Sequence, residues 1–130
     1  MNGDVAKPIT DYRDLDVWNE SMNLAADIYE MTRTFPREEQ FGMVSQLRRA
    51  SVSVAANIAE GYGRQQTKPF IQFLRISQGS LKEVETLVLL AQRVGLTTAD
   101  TADRMIIRCQ RIGKMLVGLV RKLDAKVDQR

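Results

Sequence analysis

The sequence predicts an all-α protein, an up-down-up-down antiparallel four-helix bundle, on the strength of three observations. Between residues 44 and 61 the apolar side chains recur at steps of three and four, the spacing that places residues on one face of a helix. Two further segments keep the heptad spacing typical of bundle seams. No alternating apolar and polar run bounded by turn residues predicts a β-strand. With 130 residues, the chain is expected to fold as one domain.

The first helix is predicted over residues 14–34, where Asp14 and Asp16 favour the positive end of the helix dipole. Residues 1–13 lack periodicity and are interpreted as a flexible N-terminal arm, whereas residues 14–127 are interpreted as the bundle domain. The predicted seam consists of Val17, Ser21, Leu24, Ile28 and Met31. Beside it runs an acidic row formed by Asp16, Glu20, Asn23, Asp27 and Glu30. This helix is therefore expected to bury one face and to expose an acidic one.

The second helix is predicted over residues 38–60, because Pro36 disfavours helical geometry in Phe35 and so ends the first helix. Its core row is Val44, Leu47, Ser51, Val54 and Ile58. A polar row comprises Gln46, Arg49, Ser53, Asn57 and Glu60, and small residues lie between the two at Val52, Ala55, Ala56 and Ala59. Only one narrow stripe is polar, so neighbours are expected to cover most of this helix. Gly61 is predicted to end it in a left-handed conformation.

The third helix is predicted over residues 68–94, with Thr67 as its N-cap and Gly95 after its end. Its core face is Phe70, Phe73, Leu74, Ser77, Leu81, Val84, Val88 and Ala91. The fourth helix is predicted to begin after Thr97 or Thr98 and to extend to about Lys126. Its seam is Met105, Cys109, Ile112, Leu116, Leu119 and Leu123. Both helices are therefore long enough to span the whole bundle.

Apolar residues beyond those that a four-helix core needs predict self-association. Such residues include Val52 on the second helix, Leu87 and Leu90 on the third, and Ile106 and Val117 on the fourth. A large exposed apolar patch usually marks an interface between proteins. The interface residues predicted on the second helix are Val52, Ala55 and Ala59.

Charge is distributed unevenly along the chain. Residues 1–45 hold four Lys or Arg and nine Asp or Glu, whereas residues 104–130 hold eight and two. The first helix is consequently acidic and the fourth basic, although the net charge is only +3.

The composition argues against an enzyme. There is no histidine, the commonest general base and metal ligand, so no metal or other cofactor is predicted. Cys109 lies on a seam between Arg108 and Arg111, where a basic neighbourhood could activate a thiolate, but a seam position favours a buried small hydrophobe. Gly61 to Arg64 lacks the features of a phosphate-binding loop. No segment is long and apolar enough to span a membrane, and a cytoplasmic location is expected.

The basic face of the fourth helix is the main candidate for binding nucleic acid. It comprises Arg104, Arg108, Arg111, Lys122 and Lys126, with Lys114 and Arg121 at its edge. Rows of cations bind phosphate backbones in a salt-sensitive manner. Two alternatives remain open: a solvated face, or ion pairs with the acidic row of the first helix. Since Tyr12 and Tyr62 are the only obvious aromatics for stacking, backbone or shape recognition is favoured.

One polar set on the second helix has two interpretations. Arg49, Asn57 and Glu60 share a helical stripe. They could form a shared polar site or an RNA contact, or they could fix helix register or a subunit contact through hydrogen bonds and ion pairs. The structural interpretation is favoured.

Several short stretches resemble a known family. They are Gln46-Leu47-Arg48-Arg49-Ala50, Asn57-Ile58-Ala59-Glu60-Gly61, Gly63-Arg64, Asp14-Leu15, Val17-Trp18, Phe35-Pro36, Phe41-Gly42 and Gly79-Ser80-Leu81. Together they resemble the four-helix-bundle proteins encoded in intervening sequences of bacterial 23S rRNA genes. Related bundles are accessory proteins of the reverse transcriptases of diversity-generating retroelements. The resemblance implies a homopentamer and a link to RNA, and it implies no reaction.

Two functional hypotheses follow. The first is a non-enzymatic RNA-associated scaffold whose fourth helix, with Arg48 and Arg64 as additions, holds phosphates. In the retroelement branch of the resemblance it would also dock a reverse transcriptase. The second is a protein-interaction hub whose charged rows serve subunit assembly, with no role in binding nucleic acid.

Overall fold

The computed structural model describes residues 8–128, which form four α-helices and, within that range, no β-strand. The helices are α1 (Asp16–Thr32), α2 (Ser45–Gly63), α3 (Thr67–Arg93) and α4 (Ala99–Asp128). Each helix packs against the next one along the chain, and α1 also packs against α4. This arrangement confirms the predicted up-down-up-down four-helix bundle.

The core rows predicted from helical spacing are buried. The five seam residues of α1 and the five of α2 are all buried, as are most of those on α3 and α4. On α3, Phe70 and Phe73 are only partly buried, whereas Leu87 joins the core. On α4, Leu119 is partly buried and Val120 takes the core position. The spacing rule therefore identified the inward face of every helix and erred only at its margins.

The buried hydroxyl groups bond to backbone carbonyls. The Ser21 hydroxyl donates to the carbonyl of Val17 at 2.7 Å. The Ser77 hydroxyl of α3 donates to the carbonyl of Val54 on α2 at 2.9 Å. Among the described residues, no buried side-chain nitrogen or oxygen lacks a partner. These bonds offset the loss of hydration that would otherwise make polar seam positions unfavourable.

The chain enters α1 through a capped turn. A 3₁₀ turn over Tyr12–Asp14 precedes the helix, and the Asp14 carboxylate accepts hydrogen bonds from the Thr10 amide at 3.0 Å and the Asp11 amide at 3.1 Å. The Thr10 amide, the largest influence, holds the pKa of Asp14 below its usual value. This turn moves the start of the helix from the predicted residue 14 to Asp16. Residues 1–7 of the predicted arm lie outside the described residues.

The connection between α1 and α2 differs from the prediction of one continuous second helix. A 3₁₀ turn spans Arg37–Glu39 and a π-helical turn spans Gln40–Val44. Within the π turn, Gly42 has non-helical φ and ψ of −111° and −105°. Regular α-helix begins only at Ser45, seven residues after the predicted start at residue 38. The π turn leaves Phe41 92% exposed.

Gly61 does not end α2, and the prediction of a left-handed cap there is wrong. The helix continues to Gly63, and the left-handed conformation is at Gln65, with φ of 60°. Gly61 is buried, and a Cβ at this position would lie 2.6 Å from the Cβ of Phe73 and 3.3 Å from the carbonyl oxygen of Phe70. Gly61 therefore permits close contact between α2 and α3.

The caps of α3 and α4 were predicted with mixed success. Thr67 is the first residue of α3 and Gln66 precedes it without a side-chain cap, so the predicted Thr67 N-cap is wrong by one position. Gly95, with φ of 81°, follows the end of α3 as predicted. The Thr98 hydroxyl accepts a hydrogen bond from the Thr101 amide at 3.2 Å and so caps α4.

The contact at Gly61 yields a stability prediction. We expect Gly61→Ala to lower the free energy of unfolding by about 1–3 kcal/mol, because the added methyl group must displace Phe73 or the α3 backbone. The measurement is urea unfolding followed by circular dichroism.

Gly63→Ala is the matched control, because a Cβ at Gly63 would meet nothing within 4 Å. Alanine is the better helix former, so this variant should be unchanged or more stable by up to about 1 kcal/mol. Equal stability of the two variants would contradict the proposed role of Gly61.

Candidate nucleic-acid interface

The first half of the α4 cation row lies over the acidic row of α1. Arg108 Nε is 2.9 Å from Asp27 Oδ2, and Arg111 Nη2 is 3.9 Å from Glu20 Oε2. Later α4 residues thus meet earlier α1 residues, as antiparallel neighbours must. The side chains of Arg108 and Asp27 are 36% and 38% exposed, so water screens the charges of this pair. Such a pair contributes about 0.2–1 kcal/mol to the free energy of unfolding.

A cleft of about 890 Å³ separates α1 from the N-terminal half of α4. Its charged lining consists of Glu20, Asp27, Glu30, Arg104, Arg108 and Arg111. Arg104 donates to the Thr101 hydroxyl at 3.4 Å, and no carboxylate of residues 8–128 lies within 4.0 Å of it. The cleft therefore combines both signs of charge, and two of its three arginines, Arg108 and Arg111, already face carboxylates of the same chain.

The second half of α4 has a different electrostatic character. Four cations there are exposed and have no carboxylate within 4.0 Å among the described residues: Lys114, Arg121, Lys122 and Lys126. We call these four residues the unpaired cations of α4. The nearby carboxylate of Asp124 is instead 3.9 Å from Arg75 Nη2 on α3. The unpaired cations of α4 can accept phosphates without first breaking an ion pair.

Arg48 and Arg64, the two additions from outside α4, are both engaged within the chain. Arg48 Nε donates to the Thr32 hydroxyl at 3.0 Å, and its guanidinium lies over the Tyr29 ring at 4.4 Å. Arg64 is 3.2 Å from Glu60 and lies 5.0 Å from the centre of the Phe73 ring. Arg48 therefore ties α1 to α2, whereas Arg64, with 54% of its side chain exposed, still faces solvent.

The polar row of α2 is hydrogen-bonded mainly within the helix and reaches α3 through Ser53. Asn57 Nδ2 donates to the Ser53 carbonyl at 2.8 Å and to the Ser53 hydroxyl at 2.9 Å. The Ser53 and Ser80 hydroxyls are 2.7 Å apart and link the two helices. Arg49 donates to the Ser45 hydroxyl at 2.8 Å. Asn57 therefore bonds within its own helix, so its predicted role in fixing helix register or a subunit contact stays a prediction, and Arg49 lies on the surface.

The three apolar residues predicted at an oligomer interface lie at different depths. Val52 is 45% exposed, and Ala59 is partly buried. Ala55 is buried within the chain itself. Of the three, Val52 is the one whose side chain offers substantial area to another molecule.

Cys109 is buried in the core, in agreement with its interpretation as a small hydrophobe. Burial, with a smaller contribution from the Glu85 carboxylate, raises the pKa of the Cys109 thiol to about 12. The flanking arginines point elsewhere, since Arg108 and Arg111 face α1. Cys109 is therefore protonated at neutral pH and is not a nucleophile there.

The described residues contain neither a metal-binding cluster nor a membrane-spanning helix. No group of three or more His, Cys, Asp or Glu residues within 8–128 could hold a metal ion. None of the helices in that range is long and apolar enough to cross a membrane.

Sequence reasoning missed the contacts that depend on how neighbouring helices are rotated and shifted. The Arg75–Asp124 pair and the stacking of Arg48 on Tyr29 are examples. Spacing along one helix identifies a face but does not say which residue of another helix meets it. Only the pairing of the α1 and α4 rows was anticipated, because their charges are opposite and sustained over several turns.

Comparisons with known proteins identify relatives for most of the chain. A sequence model of the family described as 23S rRNA-intervening sequence protein matches residues 13–118. A solved structure from Bacteroides thetaiotaomicron, described as a protein with unknown function from the S23 ribosomal protein family, has a TM-score of 0.72 and is 25% identical. The match covers 80% of this chain and 97% of that chain. No curated protein matches the chain.

The buried thiol gives a prediction of pH dependence. The unfolded thiol loses its proton near its ordinary pKa of 9.0, whereas the folded thiol keeps it up to about 12. The folded protein therefore binds more protons in this range, and the contribution of Cys109 to stability falls as pH rises above 9.0. Urea unfolding measures the free energy of unfolding of the wild type and of Cys109→Ala. We expect the difference between the two to shrink between about pH 8 and about 10.5, a range that brackets the ordinary pKa of the thiol.

The Cys109→Ala protein serves as the reference for every other titrating group, because only the thiol differs between the two proteins. A constant difference in stability across the pH range would contradict the raised pKa.

Proposed function

The chain belongs to the 23S rRNA-intervening sequence protein family, and from this premise we propose that it is a non-enzymatic, RNA-associated scaffold that acts as a homo-oligomer. The observation that carries the RNA role is the set of unpaired cations of α4. Exposed cations that need not leave an ion pair bind phosphates at little cost, and each contact releases counterions from the nucleic acid. The binding surface is thus the C-terminal half of α4.

The antiparallel topology adds two further cations to this surface. The end of α4 lies at the same end of the bundle as the connection from α2 to α3, because successive helices alternate in direction. Lys68, in the first turn of α3, is exposed and has no carboxylate within 4.0 Å among the described residues, whereas Arg64, in the connection, is 54% exposed but would bind phosphate in competition with Glu60. Together with Lys122 and Lys126 they form a basic end of the bundle, at which RNA phosphates are held.

The paired arginines have a different role in this proposal. Arg108 and Arg111 hold α4 against the acidic row of α1, and Arg104 lies at the same cleft. Phosphates could reach these arginines only in competition with Asp27 and Glu20. We therefore place the main RNA contact beyond the cleft, and Arg104 lies on the far side of Arg108 and Arg111 from that contact.

Self-association is supported by apolar side chains that the bundle leaves exposed. Val52 on α2, Ile76 on α3 and Val117 on α4 are 45%, 51% and 41% exposed. Because these residues lie on three different helices, neighbouring copies could pack on more than one side of the bundle and cover them. We propose a homopentamer, the assembly that the family resemblance implies, with Arg49, Glu60 and Val52 on the contact surface of α2.

Repetition of the basic end would strengthen RNA binding without any new kind of contact. Several equivalent sites on one assembly act at high effective concentration once the first is engaged. A scaffold of this kind could also dock a reverse transcriptase, the partner implied by the retroelement branch of the resemblance.

Neutralising two unpaired cations tests the RNA role. We expect Lys122→Gln combined with Lys126→Gln to weaken binding to structured RNA and to lower the slope of log K against log salt by about 1 for each lost phosphate contact. The measurement is fluorescence anisotropy with nuclease-treated protein between about 50 and 200 mM salt. Oligomer mass is recorded in the same buffers.

The combination of Arg108→Gln and Arg111→Gln is the matched control, since it removes the same charge from arginines that already face carboxylates. It should change the slope less. An equal loss in both variants would contradict the proposed position of the contact. Wild-type protein that fails to bind RNA at the lowest salt would refute the RNA role and favour the protein-interaction hub.

A lysine at the centre of the proposed α2 contact surface tests the assembly. We expect Val52→Lys to dissociate the oligomer, because an interface would have to bury the new charge. Light scattering measures the mass, and circular dichroism confirms that the variant folds. Ile9→Lys, at an apolar side chain of similar exposure (49%) outside the helices, should keep the wild-type mass. A monomeric wild type, or a Val52→Lys protein of wild-type mass, would refute this interface.

A further inference from the structure

We infer that the RNA bound at the basic end is double-helical and is contacted along its phosphates, without stacking of bases on the protein. This inference rests on the proposed RNA role and specifies the class of RNA. It depends on where the aromatic side chains lie relative to the cations. Proteins that bind single strands combine cations with exposed aromatic rings on which bases stack, whereas double-stranded RNA is recognised through its shape, phosphates and 2′-hydroxyls.

Aromatic side chains near the basic end are already in contact with other side chains. Tyr12 packs edge-on against Trp18 with ring centres 5.2 Å apart. Tyr62 packs edge-on against Phe70 at 5.9 Å. The Phe73 ring lies beneath the guanidinium of Arg64 at 5.0 Å. All of these rings are partly buried, so none of them offers a fully open face to a base.

The remaining aromatic residues lie away from the basic end. Phe35 is buried, and Tyr29 lies beneath Arg48 near the end of α1. Phe41 is 92% exposed, but it belongs to the connection between α1 and α2. That connection is at the opposite end of the bundle from the end of α4. Of the eight aromatic residues of the chain, the two that are exposed, Tyr29 and Phe41, therefore lie at the end of the bundle opposite the end of α4.

The unpaired cations form an array on one rigid helix backbone, with Lys122 and Lys126 on one side and Lys114 and Arg121 on another, beside a groove that Glu85 also lines. Lys114, Arg121, Lys122 and Lys126 lie on one continuous helix, and Lys114 and Lys126 are separated by about 18 Å along its axis at 1.5 Å per residue. A duplex presents its phosphates in fixed rows and meets such an array without being ordered first. A flexible single strand would have to lose conformational freedom on binding, with no stacking to compensate for that loss.

The test compares two RNAs that carry the same number of phosphates: a blunt-ended duplex and an unpaired oligouridine strand. Affinities of the full-length protein are measured by fluorescence anisotropy at one fixed salt concentration. We expect the duplex to bind about tenfold tighter, because the unpaired strand must lose conformational freedom on binding and gains no stacking that would offset this loss. Equal or tighter binding of oligouridine would overturn the inference while leaving the RNA role intact. Failure of both RNAs to bind at low salt would overturn the RNA role itself.

Phe41→Ala provides a second measurement that cannot fail through misfolding of the core, because this side chain is almost fully exposed. We expect its affinity for both RNAs to equal that of the wild type. A loss of affinity for oligouridine in this variant would show that bases stack on Phe41, and would overturn the argument from aromatic placement.

Discussion

The close approach of α2 and α3 is the constraint on which the rest of the bundle depends. At Gly61 the helices meet so closely that even a methyl group would collide with Phe73. Two bonds hold the same pair together further along, from the Ser77 hydroxyl to the Val54 carbonyl and between the Ser53 and Ser80 hydroxyls. This pair fixes the rotation of both helices, and that rotation determines which faces remain for α1 and α4. The helices that carry the candidate RNA contact are therefore positioned by a contact that includes none of its cations.

Helical spacing was sufficient to predict the fold, because burial acts on whole faces. The seam from Val17 to Met31 is buried throughout, since one inward row suffices for a bundle. Helix ends were predicted less well, because a turn depends on a few local bonds. The Asp11–Asp14 cap and the kink at Gly42 shift two boundaries. Gly61 was not predictable from its residue type, since glycine permits both a left-handed turn and a close helix contact, and only the neighbouring helix distinguishes them.

The candidate site was predictable as a set of cations but not as a set of contacts. The basic composition of α4 identified the face, and the acidic row of α1 suggested a partner for it. Which arginines pair depends on the axial offset of the two helices, which places Arg108 beside Asp27 and leaves Lys122 and Lys126 past the ion pairs. Fewer cations of α4 are thus free of ion pairs than its composition suggests, and they lie in one half of the helix.

The exposed ring of Phe41 has a consequence for any closed assembly of this chain. Rotational symmetry carries every copy of a residue onto one circle around the axis. In the proposed homopentamer, the five copies of Phe41 would lie on one circle and the five copies of Lys126 on another, because the two residues lie at opposite ends of each subunit. The assembly would then carry two chemically distinct rings of side chains, one of exposed phenylalanines and one of lysines. A protein seated on the first and a nucleic acid seated on the second could occupy the same particle without competing.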